Sequence, residues 1–219
     1  MNINVVVADD QQLVRSGFRM ILDSEPDITV VAEAADGIEA VELAKLHRPD
    51  VVVMDIRMPR LDGLEATKAI TEASIGTQVL VVTTFDLDEY VYTALSNGAS
   101  GFLLKDAPPE DLVNAVRVVH RGDALLAPRV TRLLIEQHLQ KAPPSPEPPA
   151  IVGDLTEREL EVLICLAAGR SNAEIAADLF VSETTIKTHI GHILMKLALR
   201  DRVQAVVFAY QHGLIVTGQ

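Results

Sequence analysis

Val51-Val52-Val53-Met54-Asp55-Ile56-Arg57-Met58-Pro59-Arg60-Leu61-Asp62-Gly63 is the stretch whose reading decides the fold. Val51 to Met54 is apolar throughout and rich in β-branched residues, which reads as a strand buried on both faces; a parallel sheet covered by helices provides such burial. An aspartate follows at once. Pro59 and the Asp62-Gly63 pair then read as a turn in which proline presets φ and glycine allows positive φ. From Leu61 to Ala73 the pattern is long enough for a helix.

Outward from this unit the alternation repeats. Strand-like runs occur at Ile3 to Ala8, Thr29 to Ala34, Val79 to Thr83 and Gly101 to Leu104. Between and after them lie the helical segments Gln11 to Leu22, Gly37 to His47, Glu89 to Asn97 and Pro109 to Arg121. Five β/α units predict a doubly wound α/β domain with a five-stranded parallel sheet over residues 1–121. Ligands of such folds sit beyond the carboxyl ends of the strands, where strand order reverses, so polar residues just after strands matter most.

Residues 122–153 loosen the pattern. Ala127 to Gln140 has the length of one more helix, and Lys141 to Ala150 holds five prolines in ten residues, which favours an extended spacer between domains. Residues 154–219 show no strand-like alternation and four helical segments: Glu157 to Ala168, Asn172 to Leu179, Glu183 to Leu197 and Asp201 to His212. Thr156 with Glu159 forms a capping-box signature, Ser182 and Thr185 serve the third segment, and Gly169 suits the end of the first. The second domain is therefore a small all-α domain. Its helices over Asn172 to Leu179 and Glu183 to Leu197 are joined by the short turn Phe180-Val181-Ser182, as in a helix-turn-helix.

Composition restricts the function. The chain has 219 residues, 48% of them hydrophobic, and a formal net charge of -12, which argues against indiscriminate nucleic-acid binding. Yet Thr184 to Arg200 carries Lys187, Lys196 and Arg200 with no acidic residue, together with His189 and His192, so DNA contact is expected to be local to that helix. The single cysteine, Cys165, reads as a small core residue, and no Cys/His cluster has zinc spacing. With no run approaching a membrane span and no leader-like start, a soluble cytoplasmic protein is expected.

The strand ends supply the chemistry. Asp9 and Asp10 follow the first strand and Asp55 the third; Thr83 ends the fourth, and Lys105 closely follows the fifth. Three carboxylates at one sheet edge repel, and a hard divalent cation such as Mg²⁺ resolves this. With the charges neutralised by metal and ammonium, a carboxylate can attack a phosphoryl group and form an acyl phosphate. A Mg²⁺-dependent phosphohydrolase would use the same groups, but no cap or substrate-reading segment is visible. The chain is accordingly read as no enzyme: it accepts a phosphoryl group without turning over a separate substrate.

The segments Val-Val-Ala-Asp9-Asp10, Met-Asp55-Ile-Arg-Met-Pro59-Arg-Leu-Asp62-Gly63, Thr83 and Gly-Phe102-Leu-Leu-Lys105 resemble the receiver (CheY-like) family from Met1 to about Arg121. That resemblance implies a flavodoxin-like strand order, Asp55 as phosphoacceptor, and Asp9, Asp10, Asp55 and the backbone carbonyl of Arg57 around the metal. It also implies Thr83 and Lys105 on the phosphoryl oxygens and Phe102 as the switch aromatic. Phenylalanine replaces the commoner tyrosine there, so a switch must rest on packing, and Phe102 also reads as an ordinary core aromatic.

Leu155 to Ile215 is similar to the LuxR-type helix-turn-helix family through Leu155-Thr-Glu-Arg-Glu-Leu-Glu-Val-Leu, Gly169-Arg-Ser-Asn172-Ala-Glu174-Ile-Ala176 and Val181-Ser-Glu-Thr-Thr185-Ile-Lys187-Thr-His189-Ile. With a receiver in front, the chain resembles the NarL/FixJ class of two-component response regulators. The class implies DNA contacts from Thr184, Thr185, Lys187 and Thr188, with Lys196 on the backbone, over a helix-turn-helix core of Ile175, Ala176, Val181, Ile186 and Ile190. Implied partners are a histidine kinase, double-stranded DNA, a second copy of the chain at least when phosphorylated, and RNA polymerase. Gly191 reads either as a site of close approach to the duplex or as a tolerated surface position. Val203 and Val207 read either as dimer contacts or as core.

Overall fold

The computed structural model describes residues 2–73, 76–84, 88–122 and 154–214. Two compact units divide the chain, Met1–Leu125 and Leu126–Gln219. The expected helix over Ala127 to Gln140 and the proline-rich spacer lie outside the described residues.

Among the described residues of the first unit, five strands alternate with five helices: β1 (Ile3–Ala8), α1 (Gln12–Asp23), β2 (Ile28–Ala34), α2 (Gly37–His47), β3 (Val51–Met54), α3 (Gly63–Glu72), β4 (Gln78–Thr83), α4 (Asp88–Ser96), β5 (Gly101–Leu104) and α5 (Pro109–His120). The strands form one parallel sheet in the order β2-β1-β3-β4-β5, as the resemblance implied. Val5, Val7, Val51, Val53, Leu80 and Val82 share one face with Leu112, Val113, Val116 and Val119 of α5 and with Leu22 of α1. Residues of the other parity, such as Val6, Val52, Met54 and Val81, are equally buried. The unbroken apolar strands thus follow from having both faces covered, each buried Val or Leu contributing about 1.5–3 kcal/mol.

The order reverses between β1 and β3. Ala8 pairs with Met54, and the Asp55 N–H donates to the Ala8 carbonyl at 2.8 Å, so the residues that follow the two strands, Asp9 and Asp55, emerge side by side. The β3–α3 loop corrects one expectation. Positive φ falls on Arg60 (64°), not on Gly63. Leu61 N–H donates to the Pro59 carbonyl at 2.7 Å across Arg60, and Gly63 opens α3 behind its cap Asp62, which accepts from Glu65 N–H at 2.9 Å. Gly63 answers a different demand: a Cβ there would lie 1.8 Å from the Asp55 carbonyl oxygen.

The second unit holds α6 (Glu157–Ala167), α7 (Asn172–Asp178), α8 (Glu183–Lys196) and α9 (Arg202–Gln211). Thr156 and Glu159 form the expected capping box on α6, and Ser171 with Glu174 forms a second on α7 that the spacing Ser-x-x-Glu also encodes. At the end of α6, Gly169 (φ 79°) donates to Leu166 and Arg170 to Cys165, a Schellman stop. The same pair of bonds ends α7, with Phe180 at φ 55° donating to Ala177 and Val181 donating to Ala176. Ile175, Ala176, Ile186 and Ile190 are buried, with Ile193 and Leu197 continuing the stripe, while Val181 is half-buried. Val203 and Val207 are buried, and Tyr210 hydroxyl donates to the Ala167 carbonyl at 2.7 Å, tying α9 to α6.

Candidate functional site

The edge of the sheet at the β1/β3 reversal gathers the expected carboxylates. Asp9, Asp10 and Asp55 each offer an oxygen within 4.8 Å of the others; Asp9 and Asp55 are buried, and Asp10 is exposed. Lys105 follows β5, its backbone N–H donating to the Thr83 carbonyl at 2.8 Å, and its ammonium lies 2.6 Å from Asp9 and 2.8 Å from Asp55. Asp9 is held from behind, its other oxygen accepting the Gln11 N–H at 2.9 Å and its carbonyl accepting from the Arg15 guanidinium at 2.7 Å. Asp55 Oδ1 accepts the Ile56 N–H at 2.8 Å.

Burial pushes the Asp55 carboxyl above its usual range, and the Asp9 charge adds to this, although Lys105 and the Ile56 N–H pull the other way. Burial alone would lower Lys105, but hydrogen bonds and charge from Asp55 and Asp9 outweigh it and raise the ammonium. Three carboxylates against one ammonium leave an excess of negative charge in a set of hard oxygen donors, the donor chemistry that suits Mg²⁺.

Thr83 is buried at the end of β4. Phe102 is buried in β5, beside Val81 in the register, so it already holds the place of a core aromatic. The Arg57 guanidinium stands 5.9 Å from the ring centroid of Tyr90 on α4, and the two residues line a cleft of about 370 Å³ with Asp10, Met58, Asp62 and Leu64. Sequence reading found Arg57 but not Tyr90, whose place depends on how α4 packs.

On α8, Thr184, Lys187 and Thr188 are exposed and Thr185 is half-buried. The Thr188 hydroxyl donates to the Thr184 carbonyl at 3.0 Å, and the Thr185 hydroxyl pairs with that of Ser182 at 2.9 Å. Gly191 is exposed, with open space around it. Lys196 has an internal partner: its ammonium donates to Glu159 at 2.7 Å, and His192 Nδ1 lies 3.7 Å from the same carboxylate. Glu159 is buried and also accepts the Thr156 N–H at 2.8 Å. It therefore both caps α6 and clamps α8 across 37 positions.

The Lys196 hydrogen bond, followed by the Thr156 N–H, depresses the Glu159 carboxyl to about 2. A depressed carboxylate contributes stability above its unfolded value of about 4.5, and that contribution is lost as pH falls toward 2. Glu159→Gln is expected to cost about 2–3 kcal/mol at pH 7 and little at pH 2.5. Urea unfolding of the second unit at the two pH values checks this.

A family model described as response regulator receiver domain matches residues 5–117, and one described as bacterial regulatory proteins, luxR family, matches residues 154–209. The chain is 45% identical to the uncharacterized transcriptional regulatory protein YxjL of Bacillus subtilis, over 97% of each chain. It is similar to the crystal structure of the response regulator ChrA of a heme-sensing two-component system (42% identity, 98% of this chain and 99% of that one, TM-score 0.53). It is also similar to a structure of two RcsB dimers bound to two parallel DNAs (26% identity, 96% and 99% covered, TM-score 0.56).

Proposed function

Because the chain belongs to the NarL/FixJ class of response regulators, joining a receiver domain to a LuxR-type DNA-binding domain, we propose that it is a transcription regulator switched by phosphorylation of Asp55. The observation that carries the reading is the Lys105 ammonium bridging Asp55 and Asp9 at the strand reversal, in a chain that also carries a helix-turn-helix. A partner histidine kinase is the phosphodonor. An Asp55 oxygen attacks phosphorus as the P–N bond to the donor imidazole breaks; the acyl phosphate forms, and the imidazole leaves with the electron pair and takes up a proton. Asp9, Asp10, Asp55 and the Arg57 carbonyl would hold Mg²⁺, which when bound supplies charge neutralisation for the phosphoryl oxygens.

Lys105 and Thr83 hold those oxygens once they arrive, and Lys105 exchanges one carboxylate partner for the phosphoryl group. Phe102 has no hydroxyl and is already buried, so it responds by repacking within the core. The domains are proposed as a receiver over residues 1–121, a linker over 122–153 and a DNA-binding domain over 154–219.

DNA is bound through the start of α8, where Lys187 brings charge and Thr184, Thr185 and Thr188 bring hydroxyls to phosphates or base edges. Lys196, paired with Glu159, fixes the angle of α8 and borders the backbone at its far end. The chain binds as a homodimer, at least when phosphorylated, and RNA polymerase is the partner downstream. None of the described helices is long and apolar enough to cross a membrane; a cytoplasmic location accords with the proposed role.

DNase footprinting with and without acetyl phosphate, on wild type and Asp55→Ala, tests the proposal. Phosphodonor is expected to strengthen protection by wild type and to leave Asp55→Ala unchanged. Equal protection in all four arms, with an unchanged oligomeric state, overturns the switch.

A further inference from the structure

Among the strand ends, that of β2 sends no group into the carboxylate cluster, yet it is tied to the loop that carries Asp55. Asp36, just past β2, is buried and caps α2, its Oδ1 accepting from Ile38 N–H at 2.9 Å and Glu39 N–H at 3.0 Å. Its Oδ2 accepts the Arg60 Nε–H at 2.6 Å, and Arg60 Nη2 reaches both Asp36 and Glu39 Oε1, the latter at 3.2 Å. Glu39 Oε2 accepts in turn from the Ala35 N–H at 2.9 Å. The backbone repeats the tie: the Gly37 N–H donates to the Leu61 carbonyl at 3.1 Å, and a Cβ on Gly37 would lie 2.3 Å from that oxygen.

Arg60 occupies the left-handed region at φ 64°, which costs a side-chain-bearing residue about 1–2 kcal/mol. That backbone is held in place from both sides, by the Leu61 N–H to the Pro59 carbonyl and by the Gly63 N–H to the Ile56 carbonyl at 2.8 Å. The loop between Asp55 and Gly63 therefore has one end on β3 and its middle pinned to α2. We propose that Arg60 is a positioning residue of the phosphorylation site, a latch that through Asp36 and Glu39 holds the 55–63 loop, and with it the Arg57 backbone, in place beside the carboxylates.

This rests on the reading of Asp55 as phosphoacceptor. Residues that orient metal ligands without touching the ion typically govern affinity by tenfold or more. Asp36 keeps its two helix-capping N–H partners when the Arg60 side chain is removed, so α2 survives, while the loop keeps its backbone ties and loses only the side-chain one.

The test uses the full chain as wild type and Arg60→Ala. The Mg²⁺ concentration giving half-maximal phosphoryl incorporation from acetyl phosphate is expected to rise about tenfold in Arg60→Ala, with the rate at saturating Mg²⁺ close to wild type. Without Mg²⁺, the Leu61 and Gly63 amides are expected to exchange about tenfold faster by NMR. Wild-type values for both readouts overturn the latch, as does a rate loss that persists at saturating Mg²⁺ and tracks a lowered melting temperature. If the wild type itself takes up no phosphoryl group, the reading of Asp55 fails instead. The latch is then decided by amide exchange and by Mg²⁺-induced amide shifts in the two proteins.

Discussion

Gly63→Ala is expected to destabilise the first unit by about 3 kcal/mol or more and to reduce phosphoryl uptake at temperatures where the protein is still folded. The added Cβ would stand 1.8 Å from the Asp55 carbonyl oxygen, 2.8 Å from its carbonyl carbon and 3.1 Å from the Ile56 Cα. All three are backbone atoms of the segment that presents Asp55, the proposed phosphoacceptor, so no side chain can swing away to relieve the overlap. Alanine gains up to about 1 kcal/mol over glycine in a helix, too little to offset a clash of this size. Gly17 provides the control: it lies within α1 with nothing within 4 Å of a built Cβ, so Gly17→Ala is expected to leave stability unchanged or raise it by up to about 1 kcal/mol. Urea unfolding of the two variants, with acetyl phosphate labelling of each, separates backbone displacement at the site from a general effect of adding a methyl group.

Lys105→Met is expected to lower stability at pH 7 by about 3 kcal/mol in the absence of divalent cation, because it strands two buried carboxylates beside each other. The ammonium is 2.6 Å from Asp9 and 2.8 Å from Asp55, and its side chain is 8% exposed. Burial already raises the Asp55 carboxyl, and loss of the lysine removes the hydrogen bond and charge that oppose this. A carboxyl with a raised folded pKa retains its proton in the native state after the unfolded chain has released it. Stability therefore falls as pH rises above the unfolded carboxylate value of about 3.9, and lowering the pH toward that value restores it. Added Mg²⁺ is expected to recover part of the loss at pH 7. Unfolding curves at pH 5 and pH 7, with and without Mg²⁺, check both signs. A variant whose stability ignores pH and Mg²⁺ alike would show that the ammonium does not hold the carboxylates together.

Most of the architecture was legible because its signals are local or periodic. Four apolar residues before Asp55 specify a doubly buried strand, and the repeat of that pattern sets five β/α units. Boundaries moved by one or two residues where caps decide them: Asp62 caps α3, so that helix begins at Gly63 rather than Leu61. The carboxylates, Thr83 and Lys105 were legible for the same reason, since a parallel sheet sends the residues after its strands to one edge.

Tertiary structure decided what depends on contacts distant in sequence. Asp-Gly after a proline is locally a turn signal, so by pattern alone Gly63 reads as a source of positive φ. Only the return of the loop onto β3 shows that it is small because the Asp55 carbonyl lies against it, while Arg60 carries the positive φ. Likewise Lys196 lies in an acid-free stretch, but its partner Glu159 is on another helix, and Glu159 already had a sufficient local reading as a cap.

Sequence by itself thus determined the order of elements, the chemistry gathered at the sheet edge and the helix that carries basic charge. Periodicity and residue type report how each segment meets water and its immediate neighbours. Only the tertiary structure decided which charges are paired internally and which residues meet the loop after Asp55, because pairing across 24 positions from Asp36 to Arg60 or 37 from Glu159 to Lys196 leaves no mark on local pattern.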